Sequence, residues 1–280
     1  MYKESDLMPK YKIVFVDIDD TLNPSNGKVS KRTIETMTKL KNNNIKVVVN
    51  TGRSAKYAIE KSKEANLSDY IISSNGAEVY NYKTKEVIYS QNIPKDTVKK
   101  VYDYCNKYNL TMIINSLDKR YINTKDYSYN NEPAEYFSDI DKLLSKKEVH
   151  QIVILSNNFD RMLVIPNIFK EILPELKIIH SSLGLIEYHR TKNKEYYHDI
   201  VLGNTAKSTG IVELLDYLKI NKKEAIGIGN GYDDLCMTEV VGTPIAVENA
   251  IPLLKERAKI ITKSASEDGV AEILEKLLFD

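Results

Sequence analysis

An apolar run ends in three closely spaced acidic residues in the segment Val14-Phe15-Val16-Asp17-Ile18-Asp19-Asp20-Thr21-Leu22. Residues 13–16 read as a buried strand, so the acids fall at its carboxyl end, where open α/β sheets bind their ligands. Because side chains alternate along a strand, we expect Asp17 and Asp19 to face the same side of it. On its own, such a pair would be interpreted as a solvated strand-to-turn junction. A functional interpretation therefore rests on the motifs that follow.

Strands and helices alternate after this segment. Residues 30–44 and 54–66 have apolar side chains at helical spacing, and residues 45–49 and 70–73 read as buried strands. Such strand–helix repeats predict a doubly wound α/β core, in which a parallel sheet is flanked by crossover helices.

This alternation is interrupted in the middle of the chain. We expect residues 84–201 to form an inserted α+β cap with an antiparallel sheet, because the strands there follow one another without strict βαβ order. The predicted strands of the cap include residues 177–180 and 185–189. The alternation then returns, so residues 1–83 and 202–280 are predicted to form the two parts of the core.

Polar motifs recur where the predicted strands of the core end. Thr51-Gly52-Arg53 follows the second strand, and Ser74-Asn75-Gly76-Ala77 follows the third. Lys207 lies at the start of the first helix after the insert, and Gly229-Asn230-Gly231-Tyr232-Asp233-Asp234 follows the next strand. Together with the first acidic segment, these motifs resemble those of the haloacid dehalogenase-like phosphohydrolases, specifically the Cof-type branch with an α/β cap. Glu267-Asp268-Gly269-Val270-Ala271 is similar to a further stretch typical of that branch, so the resemblance extends over nearly the whole chain.

The resemblance implies a phosphoric monoester hydrolase that depends on Mg²⁺. Its substrates would be small phosphomonoesters, such as sugar phosphates or phosphorylated cofactors, and the reaction would pass through an aspartyl-phosphate. A carboxylate nucleophile beside a divalent cation divides this difficult displacement into two easier ones. The resemblance assigns the nucleophile to Asp17 and the general acid and base to Asp19.

The resemblance also implies which side chains bind the substrate and which bind the metal. The phosphate- and substrate-binding set comprises Thr51, Gly52, Arg53, Asn75, Lys207 and Asp233. The metal-binding set comprises Asp17, Asp19, Asn230 and Asp234. The sequence leaves two roles open for Arg53, which either reaches the substrate or the cap, or forms an ion pair in the core.

Two residues of the fourth motif depart from the family pattern. Asn230 stands where the family usually has a metal-binding Asp, and Asp233 stands where it usually has an Asn that contacts the phosphate. An Asn oxygen can bind Mg²⁺, but without a charge it should bind more weakly than a carboxylate. This departure leaves open a catalytically silent protein that binds or responds to a phosphorylated ligand. A phosphomutase also stays open, because related folds use the same aspartyl-phosphate.

The composition argues against other classes of protein. Lys and Arg number 40 against 39 Asp and Glu in 280 residues, so the net charge of +1 offers no global attraction to nucleic acid or to an acidic membrane. No apolar run approaches the roughly 20 residues needed to cross a bilayer, so we expect a cytoplasmic protein. We also expect it to be a monomer or a weak homodimer. Cys105 and Cys236 are far apart and are predicted to be reduced, packed thiols.

The histidines all fall within the predicted cap. His150, His180, His189 and His198 lack the tight spacing of a zinc site, so we expect them to pack within the cap or at its interface. The tyrosines between residues 102 and 136 could stack nucleic-acid bases, but the near-neutral charge favours cap packing or a substrate wall.

Overall fold

The computed structural model describes residues 11–24, 27–125, 132–179 and 196–279. Within these ranges the chain forms one eight-stranded and one six-stranded sheet. The elements up to residue 107 are β1 (Ile13–Val16), α1 (Lys31–Asn42), β2 (Lys46–Asn50), α2 (Ala55–Glu64), β3 (Tyr70–Ser73), β4 (Glu78–Asn81), β5 (Glu86–Ser90) and α3 (Lys95–Lys107). The elements after it are β6 (Thr111–Asn115), β7 (Arg120–Ile122), β8 (Glu135–Tyr136), α4 (Ile140–Leu144), β9 (Gln151–Ser156), α5 (Phe159–Ile172), β10 (Leu176–Ile179), β11 (Tyr196–Leu202), α6 (Lys207–Leu218), β12 (Ala225–Gly229), α7 (Met237–Val240), β13 (Thr243–Val247), α8 (Pro252–Arg257), β14 (Ile260–Thr262) and α9 (Gly269–Leu278).

The eight-stranded sheet has the strand order β14-β13-β12-β1-β2-β3-β4-β5. Its first six strands are parallel, and β4 and β5 are added antiparallel at one edge. The predicted α/β fold with a parallel core is therefore confirmed. Because β1 lies between β12 and β2, the carboxyl ends of these three strands meet at the middle of one sheet edge.

Apolar side chains bury both faces of the central strand. Val14 and Val16 pack with Leu40 of α1 in one buried cluster. Phe15 packs with Ile211 of α6 in a cluster on the opposite face. A parallel strand covered on both faces reads as a continuous apolar run, so the first polar side chains come only at its carboxyl end.

Side-chain caps fix where two helices of the core begin. Ser30 accepts a hydrogen bond from the backbone N–H of Thr33 at the start of α1, and Ser54 accepts one from Tyr57 at the start of α2. Such caps satisfy N–H groups that have no partner inside the helix. Since Ser54 directly follows residues 51–53, its cap also sets the direction in which the chain leaves that motif.

The six-stranded sheet lies in the insert and has the strand order β10-β11-β9-β6-β7-β8. Neighbouring strands are antiparallel except β7 and β8, which are parallel. One face is covered by α3 and α5, where Val98 and Met162 are buried with Ile154. Side chains alternate along strands, so Val153 and its partner Asp199 lie on the opposite face. We call this second surface the site face, and it is formed by Ile113, Asn115, Arg120, Ile122, Gln151, Val153, Leu155 and Asp199.

The first difference from the sequence prediction concerns the hairpin formed by β4 and β5. The sequence assigns residues 84–201 to the cap, but β5 pairs with β4 in the eight-stranded sheet. The side chain of Asn81 accepts hydrogen bonds from the backbone N–H groups of Lys83 and Thr84, which stabilises a tight turn. The chain therefore folds back and extends the core sheet through Ser90 before it enters the insert.

A second difference concerns the end of the insert. Strand β11, Tyr196–Leu202, is absent from the sequence prediction, although it lies between two strands of the cap sheet. The predicted strand at residues 177–180 corresponds to β10, and the one at residues 185–189 lies outside the described residues. Within the described ranges, none of the helices combines the length and the apolar character that crossing a membrane requires.

Candidate active site

Lys207 lies at the centre of a buried acidic cluster. It is the first residue of α6, and its Nζ lies 2.8 Å from Oδ1 of Asp17. Oδ2 of Asp233 and Oδ1 of Asp234 lie 2.8 and 2.7 Å from the same ammonium. Asp17 follows β1, and the other two acids follow β12. Two neighbouring parallel strands thus deliver three carboxylates to one point of the sheet edge.

Burial and charge together set the protonation of this cluster. Burial by itself lowers the pKa of Lys207, but the three carboxylates outweigh it and hold that pKa well above its usual value. Burial raises the pKa of Asp17, Lys207 offsets part of the rise, and the neighbouring acids add to it, so this pKa is also well above its usual value. When all are ionised, three carboxylates against one ammonium leave an excess of two negative charges.

This charge and these donors fit a hard divalent cation. Mg²⁺ prefers oxygen ligands, and it would offset the excess of two negative charges. Within the described ranges, no three His, Cys, Asp or Glu side chains are arranged to hold a metal ion. The ammonium of Lys207 lies where the three carboxylates converge. A bound metal ion would therefore have to share some of these carboxylates with Lys207.

Asp234 is fully engaged by the protein. Its Oδ1 faces Lys207, and its Oδ2 accepts hydrogen bonds from the backbone N–H groups of Asn230 and Gly231, at 2.8 and 3.0 Å. A Cβ at Gly229 would lie 2.5 Å from this carboxylate, which explains the glycine. The contacts favour a role in which Asp234 orients Lys207 and the loop, so its predicted role as a metal ligand stays a prediction.

The exchanged pair, Asn230 and Asp233, lies beside Asp234. The side chain of Asp233 is 13% exposed, whereas that of Asp234 is fully buried, so Asp233 is the more accessible carboxylate next to Asp17. Asn230 is half-buried at the end of β12, and its backbone carbonyl accepts a hydrogen bond from the N–H of Ile251. From this position Asp233 can supply the charge that Asn230 lacks.

The Thr51 motif lies at the end of the neighbouring strand β2. Thr51 is almost completely buried, and its hydroxyl accepts a hydrogen bond from the backbone N–H of Arg53. The side-chain amide of Asn50 donates to the backbone carbonyl of Lys207, which ties β2 to the start of α6. A Cβ at Gly52 would lie 3.0 Å from the side chain of Asn75, so the glycine allows the two loops to approach closely.

Residues 74–76 form a tight loop against the start of α6. Ser74, Asn75 and Gly76 all have positive φ, and the N–H of Asn75 donates to the carbonyl of Thr51. At Gly76, with φ +91°, a Cβ would lie 2.0 Å from the carbonyl oxygen of Ala206. Only glycine fits there, and the resulting contact holds the residue that precedes Lys207.

Arg53 joins the core to the cap. Its Nε lies 2.9 Å from Oδ2 of Asp19, and its Nη2 lies 3.3 Å from Oδ1 of the same carboxylate. Its Nη1 lies 3.3 Å from Oε1 of Glu132, a residue of the insert. The two roles left open by the sequence are therefore both present, because Arg53 forms an ion pair in the core and also reaches the cap.

Asp199 is a site residue that the sequence analysis misses. It lies on the site face, and its surroundings raise its pKa from 3.8 to about 7. Burial is the main cause; Arg53 lowers the pKa, Asp233 raises it, and the side chain of Asn75 lowers it by hydrogen bonding. A lone Asp in an otherwise apolar stretch carries no motif. The sequence signal that could have identified Asp199 is the alternation of side chains between two faces, expected if residues 196–202 form a strand.

The histidines and cysteines within the described residues make packing or hydrogen-bonding contacts. Nδ1 of His150 lies 2.7 Å from Oε1 of Glu78 in β4, and Nε2 of His198 lies 2.8 Å from the carbonyl oxygen of Met162. Cys105 and Cys236 are free thiols, the first buried and the second half-buried. His180 and His189 lie outside the described residues.

The family model for haloacid dehalogenase-like hydrolases matches residues 14–274. YxeH of Bacillus subtilis (strain 168), classed as a phosphatase, is 25% identical over 96% of this chain and 98% of its own length. The chloroplastic endoribonuclease YBEY of Arabidopsis thaliana is 26% identical over 97% of this chain but only 47% of its own length. The chain therefore spans about half the length of the second relative.

A solved structure has the same fold over nearly the whole chain. A haloacid dehalogenase-like hydrolase from Bacteroides thetaiotaomicron superposes with a TM-score of 0.83 and 23% identity, covering 96% of this chain and 100% of that one. The likeness includes both the parallel core and the inserted sheet, because the superposition covers both regions.

Proposed function

The chain belongs to the haloacid dehalogenase-like hydrolases and is a phosphoric monoester hydrolase, and from this premise we propose that it hydrolyses small phosphomonoesters with Asp17 as the nucleophile. One observation carries the proposal: the contact of 2.8 Å between Lys207 and Asp17 at the carboxyl end of the central strand. A cation at this point holds the carboxylate and is placed to bind the phosphoryl oxygens as they approach it.

The reaction takes place in two displacements. In the first, an oxygen of Asp17 attacks phosphorus and the bond from phosphorus to the leaving oxygen breaks, while Asp19 donates a proton to that oxygen. In the second, Asp19 takes a proton from water as the water oxygen attacks the phosphorus of the aspartyl-phosphate. The bond to Asp17 then breaks, and inorganic phosphate is released.

Donors from two segments bind the phosphoryl group during both steps. Thr51 contributes its hydroxyl, Gly52 its backbone N–H, and Lys207 its ammonium near the start of α6. Asn75 buttresses Gly52 from the neighbouring loop. These groups are fixed by buried contacts, so little reorganisation is needed when charge develops on the phosphoryl oxygens.

Mg²⁺ is the cofactor that the oxygen donors fit. Asp17 and Asn230 of the predicted set would hold it, and Asp233 would join them. Asp19 and Asp234 already have both carboxylate oxygens engaged, the first by Arg53 and the second by Lys207 and two backbone N–H groups, so they would bind the ion only by giving up some of these contacts. When bound, the ion supplies positive charge that offsets the charge of the phosphoryl oxygens.

The site face supports substrates rich in hydroxyl groups. Asp199 and Arg120 come from the cap sheet, and Glu132 comes from the loop beside it. Glu132 contacts both Arg53 and Arg120, and the charges of both guanidinium groups act on Asp199. Carboxylates and guanidinium groups are well suited to hydrogen-bond hydroxyls of a leaving group. We therefore assign sugar phosphates or phosphorylated cofactors as the substrate class, and the cap as the source of selectivity.

Hydrolysis of p-nitrophenyl phosphate with and without Mg²⁺ tests this function. We expect release of inorganic phosphate that depends on Mg²⁺, followed by activity on some members of a panel of phosphorylated sugars and cofactors. Absence of phosphate release from every substrate would contradict the proposal and favour a silent phospho-ligand binder. Transfer of the phosphoryl group within a sugar phosphate, without release, would indicate a mutase instead.

A further inference from the structure

Glu132 is a buried acid of the insert that contacts the core. Its side chain is 7% exposed. Oε1 lies 3.3 Å from Nη1 of Arg53, and Oε2 accepts a hydrogen bond of 2.7 Å from the hydroxyl of Ser54. One carboxylate thus contacts two consecutive residues of the core, immediately after the phosphate-binding Thr51 and Gly52.

Arg53 connects Glu132 to Asp19. The guanidinium contacts both oxygens of Asp19 on one side and Glu132 on the other. A guanidinium is planar with donors in fixed directions, so a carboxylate at one edge restricts how the group can present its other donors. The position of Glu132 therefore constrains the position of Asp19 through a single shared side chain.

Glu132 is also tied to the middle of the cap sheet. Its Oε2 lies 3.3 Å from Nη1 of Arg120, which is 5% exposed. Nε of Arg120 donates to Asn115, and the amide of Asn115 donates to Gln151. This series of contacts connects the loop at residue 132 to strands β6, β7 and β9, so any movement of the cap would carry Glu132 with it.

We propose that Glu132 is a positioning residue that couples closure of the cap to the placement of the general acid. With the cap closed, Glu132 orients Arg53, and Arg53 holds Asp19 where it can protonate the leaving oxygen. With the cap open, this contact is lost and Arg53 is no longer oriented by Glu132. The inference rests on the proposed function, because it takes Asp19 as the acid of the first displacement.

Two aryl phosphates of similar shape separate this role from a merely structural one. The p-nitrophenolate ion leaves without needing a proton, whereas the phenolate of phenyl phosphate is a poorer leaving group that gains more from a general acid. The parameter kcat/KM reports substrate binding and the transfer of the phosphoryl group to Asp17, so it includes the step that uses the acid and leaves out the second displacement.

The test compares E132Q with the matched control E135Q. Glu135 lies three residues further along the same segment and forms an exposed ion pair with Lys119, so its loss should leave both substrates unaffected. For E132Q we expect kcat/KM on phenyl phosphate to fall about tenfold to a hundredfold. This is the range typical when the hydrogen-bond partner that orients a metal-binding side chain is removed. The loss on p-nitrophenyl phosphate should be much smaller. E132D, which keeps the charge but shortens its reach, should give an intermediate loss and guards against failure of E132Q to fold.

The outcomes separate this inference from the proposed function. Equal losses on both substrates, or no loss on either, would overturn the positioning role while leaving the hydrolase intact. A wild-type protein that hydrolyses neither substrate with Mg²⁺ would overturn the proposed function and this inference with it.

Discussion

Replacement of Asp199 by Asn should stabilise the protein at neutral and alkaline pH and have little effect at acidic pH. The pKa of Asp199 is raised from 3.8 to about 7, mainly by burial. The folded protein therefore holds a proton on this group between about pH 4 and pH 7, where the unfolded chain does not. The contribution of this carboxyl group to the free energy of unfolding is fully present below about pH 4 and is lost as the pH rises through about 7.

The magnitude follows from the size of the pKa change. A rise from 3.8 to about 7 corresponds to about 4 kcal/mol, at about 1.4 kcal/mol per unit. Asp199 is partly exposed, so water reduces the energetic cost of ionising its carboxyl group. We expect D199N to raise the free energy of unfolding at pH 8 by about 2 kcal/mol relative to wild type.

Urea unfolding without Mg²⁺, followed by circular dichroism at several pH values between 4 and 8, measures this difference. The difference between D199N and wild type should grow steadily across that range. D103N is the matched control, because Asp103 is an exposed acid on the cap helix α3 and its replacement should give no such trend. A difference that does not change with pH, or a D199N protein less stable than wild type at pH 8, would refute the reasoning.

Two further predictions concern the metal site and the junction of the two sheets. N230D combined with D233N should lower the Mg²⁺ concentration needed for half-maximal activity more than either single change, because the two residues share one role. Mg²⁺ titrations of the four proteins measure this, and single effects that simply add would show that Asp233 does not compensate for Asn230. Replacement of His150 by Ala should lower the free energy of unfolding by about 3 kcal/mol, since it leaves buried Glu78 without its imidazole partner. Urea unfolding near pH 6 measures this loss, and a change below about 1 kcal/mol would show that the hydroxyls of Ser73 and Ser74 suffice.

The parallel core could be predicted from the sequence because its signals are local and repeated. Four of the parallel strands, β1, β2, β3 and β12, are short apolar runs that end at a polar motif, and the helices of the core have apolar side chains at helical spacing. The motifs fall at strand ends, and parallel strands bring those ends to one edge. The meeting of Asp17 with Lys207, 190 positions apart, follows from topology alone.

The cap-side residues could not be predicted because they carry no local pattern. Asp199 and Glu132 are single acids in segments without a motif. The role of Asp199 depends on which strand face points to the core, and that of Glu132 depends on how its loop packs against Arg53. The hairpin at residues 78–90 shows the same limit. Alternating side chains can indicate two strands and a turn, but they do not tell which of the two sheets the second strand joins.

The central claim is that Asp17 attacks the phosphorus, and turnover of p-nitrophenyl phosphate by D17N with Mg²⁺ tests it most directly. Asn keeps the shape of the side chain, but it lacks the charged oxygen that forms the aspartyl-phosphate. We expect turnover to fall by about 10⁴-fold or more while the circular dichroism spectrum stays that of wild type. A folded D17N protein that retains turnover within about tenfold of wild type would contradict the account and assign the nucleophile elsewhere.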